Sequence, residues 1–305
     1  MAGLEFNTNF DPHYGQLVQV APGIRRITAN NPGPFTFKGT NTFVIGDGSV
    51  AVIDPGPDDP GHIQALLDGL SGETVRHILV THTHRDHSPG ARLLARLTGA
   101  PVYAEGPHRA SRPLNTGEVN PLDASADDAF QPDIALRHGD WVEGDSYCLE
   151  AVFTPGHCAN HMAFALPDRD ILFCGDHVMA WSTSIVAPPD GSMADYMTSL
   201  DLLIERQDAL IIPAHGAEIS TPAPHLAGLR AHRLEREAAV LDAVQKGHAD
   251  IPSMVEHIYK GLPDHLKGAA GLSVLAHLED LEGRKRVIAD PGPASVSAHY
   301  SVYPE

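Results

Sequence analysis

Short apolar runs at strand length dominate the first half of the chain. Leu17–Val20, Ile24–Thr28, Thr42–Ile45 and Val50–Ile53 are apolar or β-branched and are broken by Gly and Pro, which predicts four early strands. Over residues 60–70 the period changes, with Ile63, Leu66, Leu67 and Leu70 at helical spacing. A strand over His77–Val80, a helix over Pro89–Leu97 and a short strand over Val102–Ala104 follow. Residues 105–140 are rich in Gly, Pro, Asn, Asp and Ser and lose periodicity, which marks either a functional loop or an acidic surface excursion. Three more strands are predicted over Ser146–Phe153, Asp170–Cys174 and Ala209–Ile212. A helix over Met193–Arg206 lies between the last two, with Met197, Leu200, Leu203 and Ile204 on one side. From Leu226 the pattern is helical. One stripe holds Leu234, Ala238, Leu241 and Val244; a second helix starts at Pro252, a favoured first-turn position; a third carries Leu272, Leu275, Leu278 and Leu281. Val287-Ile288 reads as a short strand and the tail from Asp290 as a loop. Mixed strands and helices followed by helices predict an α/β (α+β) domain over 1–225 and a small helical domain with a tail over 226–305.

Composition narrows the class. At 305 residues and 42% hydrophobic content the chain can bury a large core. No run is long and apolar enough to cross a membrane, and Met1-Ala2-Gly3-Leu4-Glu5 lacks the features of a signal peptide, so a cytoplasmic location is expected. Cys148, Cys158 and Cys174 are too few, and odd in number, for a disulfide framework. The formal charge of −18 disfavours a nucleic-acid partner; Arg284-Lys285-Arg286 is the nearest thing to a basic run. Over 226–290, Arg230, Arg233 and Lys246 are matched by Glu235, Glu237 and Asp242, so this region reads as a packing or homodimer surface.

The chemistry is concentrated in Thr81-His82-Thr83-His84-Arg85-Asp86-His87, just after the apolar run Ile78-Leu79-Val80. Three further candidates stand downstream, each behind an apolar run: His157 in Thr154-Pro155-Gly156-His157, Asp176 in Cys174-Gly175-Asp176, and His215 in Pro213-Ala214-His215-Gly216. Imidazole and carboxylate are the ligands zinc accepts when it also holds a water. Seven donors are too many for one tetrahedral ion and suit two ions that share a bridging hydroxide. Strand ends followed by Gly/Pro turns can aim such groups at one point. Isolated histidines such as His138, His248 and His265 read as ordinary surface or core residues.

These motifs resemble the metallo-β-lactamase fold superfamily over residues 15–225. The resemblance implies a four-layer αββα sandwich with the site on one edge. It implies that His82, His84 and His157 bind a first metal, that Asp86, His87 and His215 bind a second, and that Asp176 bridges the two. Asp54 would support the site from behind, or is simply a turn residue before Pro55-Gly56. The C-terminal stretch Ser273-Val274-Leu275-Ala276-His277-Leu278-Glu279-Asp280-Leu281 is similar to the lactamase-beta-like-2 subgroup, which appends a winged-helix-like domain. Zinc, two ions per chain, is the expected cofactor, and manganese and iron suit the same donors. Asp86 is the expected catalytic residue, accepting a hydrogen bond from the hydroxide and delivering a proton to the leaving group.

A binuclear hydrolase of a small ester, thioester or lactone heads the ranking. A phosphodiesterase or ribonuclease with the same centre is second, and weak promiscuous β-lactamase activity third, since export is not expected and a bridging Asp176 departs from the lactamase pattern. A mononuclear iron persulfide dioxygenase ranks lower, because it needs only part of the donor set, and a non-catalytic winged-helix binder lower still. His161 and His177 read as supports of neighbouring ligands or as packing residues. Cys174 is expected to point into the core by strand alternation. Phe35, Phe37, Trp181 and Tyr196 read as core aromatics, with the lining of a substrate pocket as the alternative. Substrate choice is expected to rest on the loops at 31–41, 105–140 and 177–192.

Overall fold

The computed structural model describes residues 4–115, 118, 120 and 125–304, so part of the 105–140 loop lies outside the described residues. The chain runs β1 (Val18–Ala21), β2 (Ile24–Thr28), β3 (Asn41–Ile45), β4 (Ser49–Ile53), α1 (Pro60–Gly69), β5 (Thr74–Leu79), α2 (Pro89–Thr98), β6 (Val102–Ala104) and β7 (Ile134–Ala135). These strands form one seven-stranded sheet in chain order, antiparallel from β1 to β4 and parallel from β4 to β7. A second sheet follows: β8 (Trp141–Glu143), β9 (Cys148–Phe153), β10 (Met162–Leu166), β11 (Ile171–Gly175), then α3 (Met193–Arg206) and β12 (Leu210–Pro213). Its order is β12-β11-β10-β9-β8, with β11 and β12 parallel.

Side-chain alternation sorts these strands into layers. Phe43 and Ile45 of β3, Ala51 and Ile53 of β4 and Leu79 of β5 meet Leu149, Ala151, Phe164 and Phe173 of the second sheet in a core between the sheets. The alternate residues Val44, Val50, Val52 and Ile78 face α1 and α2. Val152, Ala163, Leu172 and Cys174 face α3, so Cys174 does point into the core. The result is an αββα sandwich whose central strands are covered on both faces, which is why they are continuous apolar runs rather than alternating ones.

Helix α4 (Pro222–Gln245) extends beyond this sandwich. Its first half, through Leu226 and Leu229, packs in the same core as α3. Its second half, through Val240, Ala243 and Val244, joins a separate core with α5 (Ile251–Ile258), α6 (Asp264–Gly283), β13 (Val287–Asp290) and β14 (His299–Val302). No helix among the described residues is long and apolar enough to cross a membrane.

Four strands depart from the pattern reading. β10 (Met-Ala-Phe-Ala-Leu) is buried along its whole length, and two of its five residues are Ala, which is poor in strands. β7 and β8 are two and three residues long. β14 lies in the predicted loose tail and pairs antiparallel with β13, burying Tyr300. The α4 stripe is also shifted: Leu234 is 42% exposed, and Arg233 is buried in its place.

The sandwich and the site meet at Gly156. Its φ is +134°, and an added Cβ would sit 2.3 Å from the Tyr196 Cα of α3. Gly156→Ala combines a forbidden backbone conformation with a clash against helix backbone. It should lower unfolding stability by about 2–4 kcal/mol in chemical denaturation.

Candidate metal centre

All seven predicted donors converge at one edge of the sandwich, where strands of both sheets end. Ligand atoms of His82, His84 and His157 lie together, as do those of His82, His87 and Asp176, and those of Asp86, His87 and His215. His82 Nε2 and His157 Nε2 each lie 3.0 Å from His84 Nδ1. On the other side, Asp86 Oδ2 lies 3.1 Å from His87 Nε2 and 3.2 Å from His215 Nε2, while Asp176 Oδ1 lies 3.3 Å from His215 Nε2 and 3.6 Å from His87 Nε2. Asp176 Oδ2 faces His157 Nε2 at 3.7 Å, so this carboxylate stands between the two groups.

The outward ring nitrogens are fixed by other partners. His87 Nδ1 donates to Asp54 Oδ2 at 3.0 Å, His157 Nδ1 to the Ile185 carbonyl at 2.7 Å, and His215 Nδ1 to the Gly39 carbonyl at 3.2 Å. That leaves each Nε2 lone pair aimed inward, the arrangement seen when backbone or carboxylate partners set the tautomer of a metal ligand. Asp54 therefore supports the site. Its carboxylate also accepts from the Thr81 N–H and hydroxyl, both at 2.7 Å, just ahead of His82. Its φ of +50° turns the chain at the end of β4 to make this reach.

His161 proves to be a support as well. Its Nε2 accepts from the Asp176 N–H at 3.1 Å and its Nδ1 faces Thr154 Oγ1 at 2.9 Å. His177 is a packing residue: its ring lies against Tyr196 at 4.5 Å, and neither ring nitrogen has a partner among the described residues. Ser184 is a backbone anchor, donating to the carbonyls of Asp176 and His177.

Several residues at the site carry no motif signal. Thr40 Oγ1 donates to Asp86 Oδ2 at 3.1 Å. Asn41, with its N–H on the Ala214 carbonyl and its side chain on the Pro213 and Gly216 carbonyls, fastens the 31–41 loop to the His215 turn. Part of the 105–140 loop is a clamp on the histidine segment: Arg85 N–H donates to the Ser125 carbonyl, Asp127 N–H to the Thr83 carbonyl, and Ser88 Oγ to Asp127 Oδ2. His138, by contrast, is exposed, and its Nδ1 accepts from the Phe153 N–H.

The donor set fits divalent metal. His87 Nε2, His215 Nε2 and Asp176 Oδ1 are buried without a hydrogen-bond partner among the described residues, a costly condition for polar atoms at one point. A tetrahedral ion with metal–nitrogen distances of about 2.0–2.1 Å spaces its ligand nitrogens by about 3.3 Å, close to the spacing around His84. Burial and the neighbouring imidazoles hold His82 well below the ordinary histidine range, and burial and His157 push His84 down to about 3, so both offer neutral lone pairs. Burial alone would raise Asp86 and Asp176, but the facing imidazoles His87 and His215 outweigh it and hold both carboxylates well below the usual range. The carboxylates in turn pull His215 up to about 10 against burial. Protons on His87 and His215, or metal cations in their place, balance this buried negative charge.

The centre forms the floor of a cavity of about 330 Å³. Its walls include Phe35, Met179, Ile185, Ala269 and Leu272, with Arg85 and Ser125 at the side. Phe35 is 58% exposed and lines this cavity, so it is not a core residue; Phe37 stacks on Trp181 at 4.8 Å, and Tyr196 is core. Met179 and Ile185 belong to the 177–192 loop expected to bear on substrate choice, whereas no lining role is expected of Ala269 and Leu272. The last two come from α6, so the C-terminal region builds one wall of the site.

A metal-binding αββα fold with this edge site defines a metal-dependent hydrolase class. Comparison with known proteins agrees. Residues 35–215 match the metallo-beta-lactamase superfamily model, and residues 251–292 match the beta-lactamase associated winged helix domain. The chain belongs to the metallo-beta-lactamase superfamily. An atrochrysone carboxyl ACP thioesterase of Cryptosporiopsis sp. is 30% identical, over 77% of this chain and 67% of its own. A beta-lactamase-like protein 2 homolog of Drosophila melanogaster is 29% identical, over 89% of this chain and 92% of its own. Among solved structures, a beta-lactamase domain protein from Burkholderia ambifaria shares the fold with a TM-score of 0.76 at 22% identity, covering 96% of this chain and 95% of that one.

His84→Ala and Asp176→Ala should each reduce metal per purified chain by at least about half, measured by plasma mass spectrometry, with the circular dichroism of the fold kept. His138→Ala should leave metal content unchanged. Full metal retention in His84→Ala would remove His84 from the ligand set.

Proposed function

We propose that the protein is a binuclear zinc-dependent hydrolase of small ester, thioester or lactone substrates, and that a thioester of an apolar acyl group fits best. The observation that carries this reading is the apolar cavity standing directly on the donor cluster. Phe35, Met179, Ile185, Ala269 and Leu272 can desolvate an acyl chain while its carbonyl reaches the floor. The thioesterase names of relatives at about 30% identity support the same bond type. His82, His84 and His157 would hold one ion, Asp86, His87 and His215 the other, and Asp176 would contact both. Bound there, divalent ions supply Lewis acidity and lower the pKa of water to about 7. Zinc suits these donors, and manganese or iron would take the same set.

The chain's own residues position and move the proton. Asp86 is ionised, lines the cavity and carries the Thr40 hydroxyl on Oδ2. It accepts a hydrogen bond from the attacking oxygen and passes that proton to the departing thiolate or alkoxide, so no Ser or Cys nucleophile is required. Cys158 and Cys174 are buried, and burial pushes both thiols above the ordinary range, consistent with an inert role. All three free thiols fit a reducing, cytoplasmic setting. A phosphodiesterase with the same centre is the second reading; the apolar walls do not favour it.

Acyl-thioester hydrolysis should be abolished by chelation and restored by zinc, and should exceed hydrolysis of a generic phosphodiester by at least about tenfold in kcat/KM. The reverse preference would replace the thioester reading with the phosphodiesterase one. Leu272→Trp should shorten the accepted acyl chain, lowering kcat/KM for a long acyl thioester relative to an acetyl thioester by about tenfold.

A further inference from the structure

A second cavity of about 290 Å³ adjoins the metal cavity and shares Ile185 and Ala269 with it. Its lining includes His232, Arg233 and Arg236 of α4 and the hydroxyl residues Ser182, Thr183, Ser184 and Ser273. We propose that this cavity is a binding site for a phosphate-class anion.

The reason is uncompensated positive charge. Arg233 is only 4% exposed, yet neither it nor Arg236 has a carboxylate partner among the described residues. One Arg233 guanidinium nitrogen donates to the Ser184 carbonyl, and its Nε is buried without a partner. Arg236 Nε and His232 Nδ1 are likewise buried and unpartnered. The Tyr196 ring, 4.8 Å from Arg233, and the Tyr259 ring, 5.1 Å from Arg236, hold the guanidinium planes but carry no full charge. A buried guanidinium without a counter-ion is costly, and guanidinium paired with phosphate oxygens relieves that cost with charge-assisted bonds. The whole chain carries −18, so acidic side chains were available and are spent elsewhere: Arg284 has Glu237 and Asp280, and Arg112 has Glu118 and Glu279. His277, also buried without partners, is pushed down to about 3 by burial and by Arg233, which marks the same positive field from the α6 side.

The two cavities share a wall. Segment 182–186 gives its Ser184 carbonyl to Arg233 and its Ile185 carbonyl to the ligand imidazole His157. The residues that brace Arg233 and the ligand imidazole His157 are therefore adjacent along this wall. The assignment of the anion to the substrate rests on the thioesterase reading: the phosphate of a phosphate-bearing thiol would sit at Arg233 and Arg236 while its acyl group occupies the metal cavity.

Calorimetric titration of the zinc-loaded protein with inorganic phosphate tests the site without turnover. Saturable binding with Kd at or below about 1 mM is expected. It should persist within about twofold in His84→Ala and in chelator-treated protein, and weaken at least about tenfold in Arg236→Gln, with Arg236→Lys intermediate. Absence of saturation, equal binding in Arg236→Gln, or loss of binding with the metal would overturn the proposal. Thioesters of one acyl group on a phosphate-bearing thiol and on an uncharged thiol distinguish a substrate-borne anion from a free one. The first gives wild-type protein an advantage of about tenfold in kcat/KM, lost in Arg236→Gln through KM; the second gives no advantage, while added phosphate changes turnover of both thioesters. Single-stranded RNA that displaces phosphate and loses affinity in Arg236→Gln would overturn the small-molecule assignment. If neither thioester turns over, the hydrolase reading fails and the titration still decides the anion site.

Discussion

The structure depends on a collection of lone pairs that cannot satisfy one another. Five imidazoles and two carboxylates face a common volume, and three of the rings have their outward atoms already committed: His87 to Asp54, His157 to Ile185, His215 to Gly39. Turning any of these three rings away would break one of those bonds, so their inward atoms are held in place whether or not they are stabilised there. Buried acceptors without donors carry a free-energy cost that only cations or protons can relieve. The sandwich bears that cost through its three well-filled apolar layers, which anchor every strand end that feeds the site.

The backbone supports are as specific as the ligands. Asp54 takes a left-handed conformation to reach Thr81 and His87 together, and Gly156 passes α3 where no side chain fits. Asn41 bonds three successive parts of the His215 turn, and residues 125–127 run beside residues 83–85. Loops far apart in sequence therefore form one rigid rim. Such preorganisation is what lets a hydrolase aim water and carbonyl without rearrangement at the moment of reaction.

Much of this was legible in the chain. Apolar runs marked β5, β9, β11 and β12, the last three ending at Gly or Pro, and each delivered its His or Asp to the edge. The spacing around His82–His87 was specific enough to imply the superfamily. What escaped has physical reasons. β10 buries both faces and so shows no alternation, and β7 and β8 are too short to have a period. Leu272 was counted with Leu275, Leu278 and Leu281, but three-residue steps fall about 60° short of a turn each, so by Leu281 the stripe has moved to the opposite side of α6. Leu272 thus faces the cavity while Leu281 faces the C-terminal core. Thr40, Asn41 and Ser184 act through a few hydrogen bonds that leave no periodic trace, and the charge balance along 226–290 concealed that Arg233 and Arg236 have no carboxylate partner among the described residues.

Helix α4 has a consequence for how the molecule comes apart. Its 24 residues enter the sandwich at Leu226 and leave through the C-terminal core at Val244, with no break between. A continuous helix transmits any loosening at one end to the other, because each turn is braced by the next. The two lobes should therefore melt as one cooperative body, and excising the C-terminal lobe would strip the catalytic lobe of half a helix as well as the wall that shelters its reaction chamber.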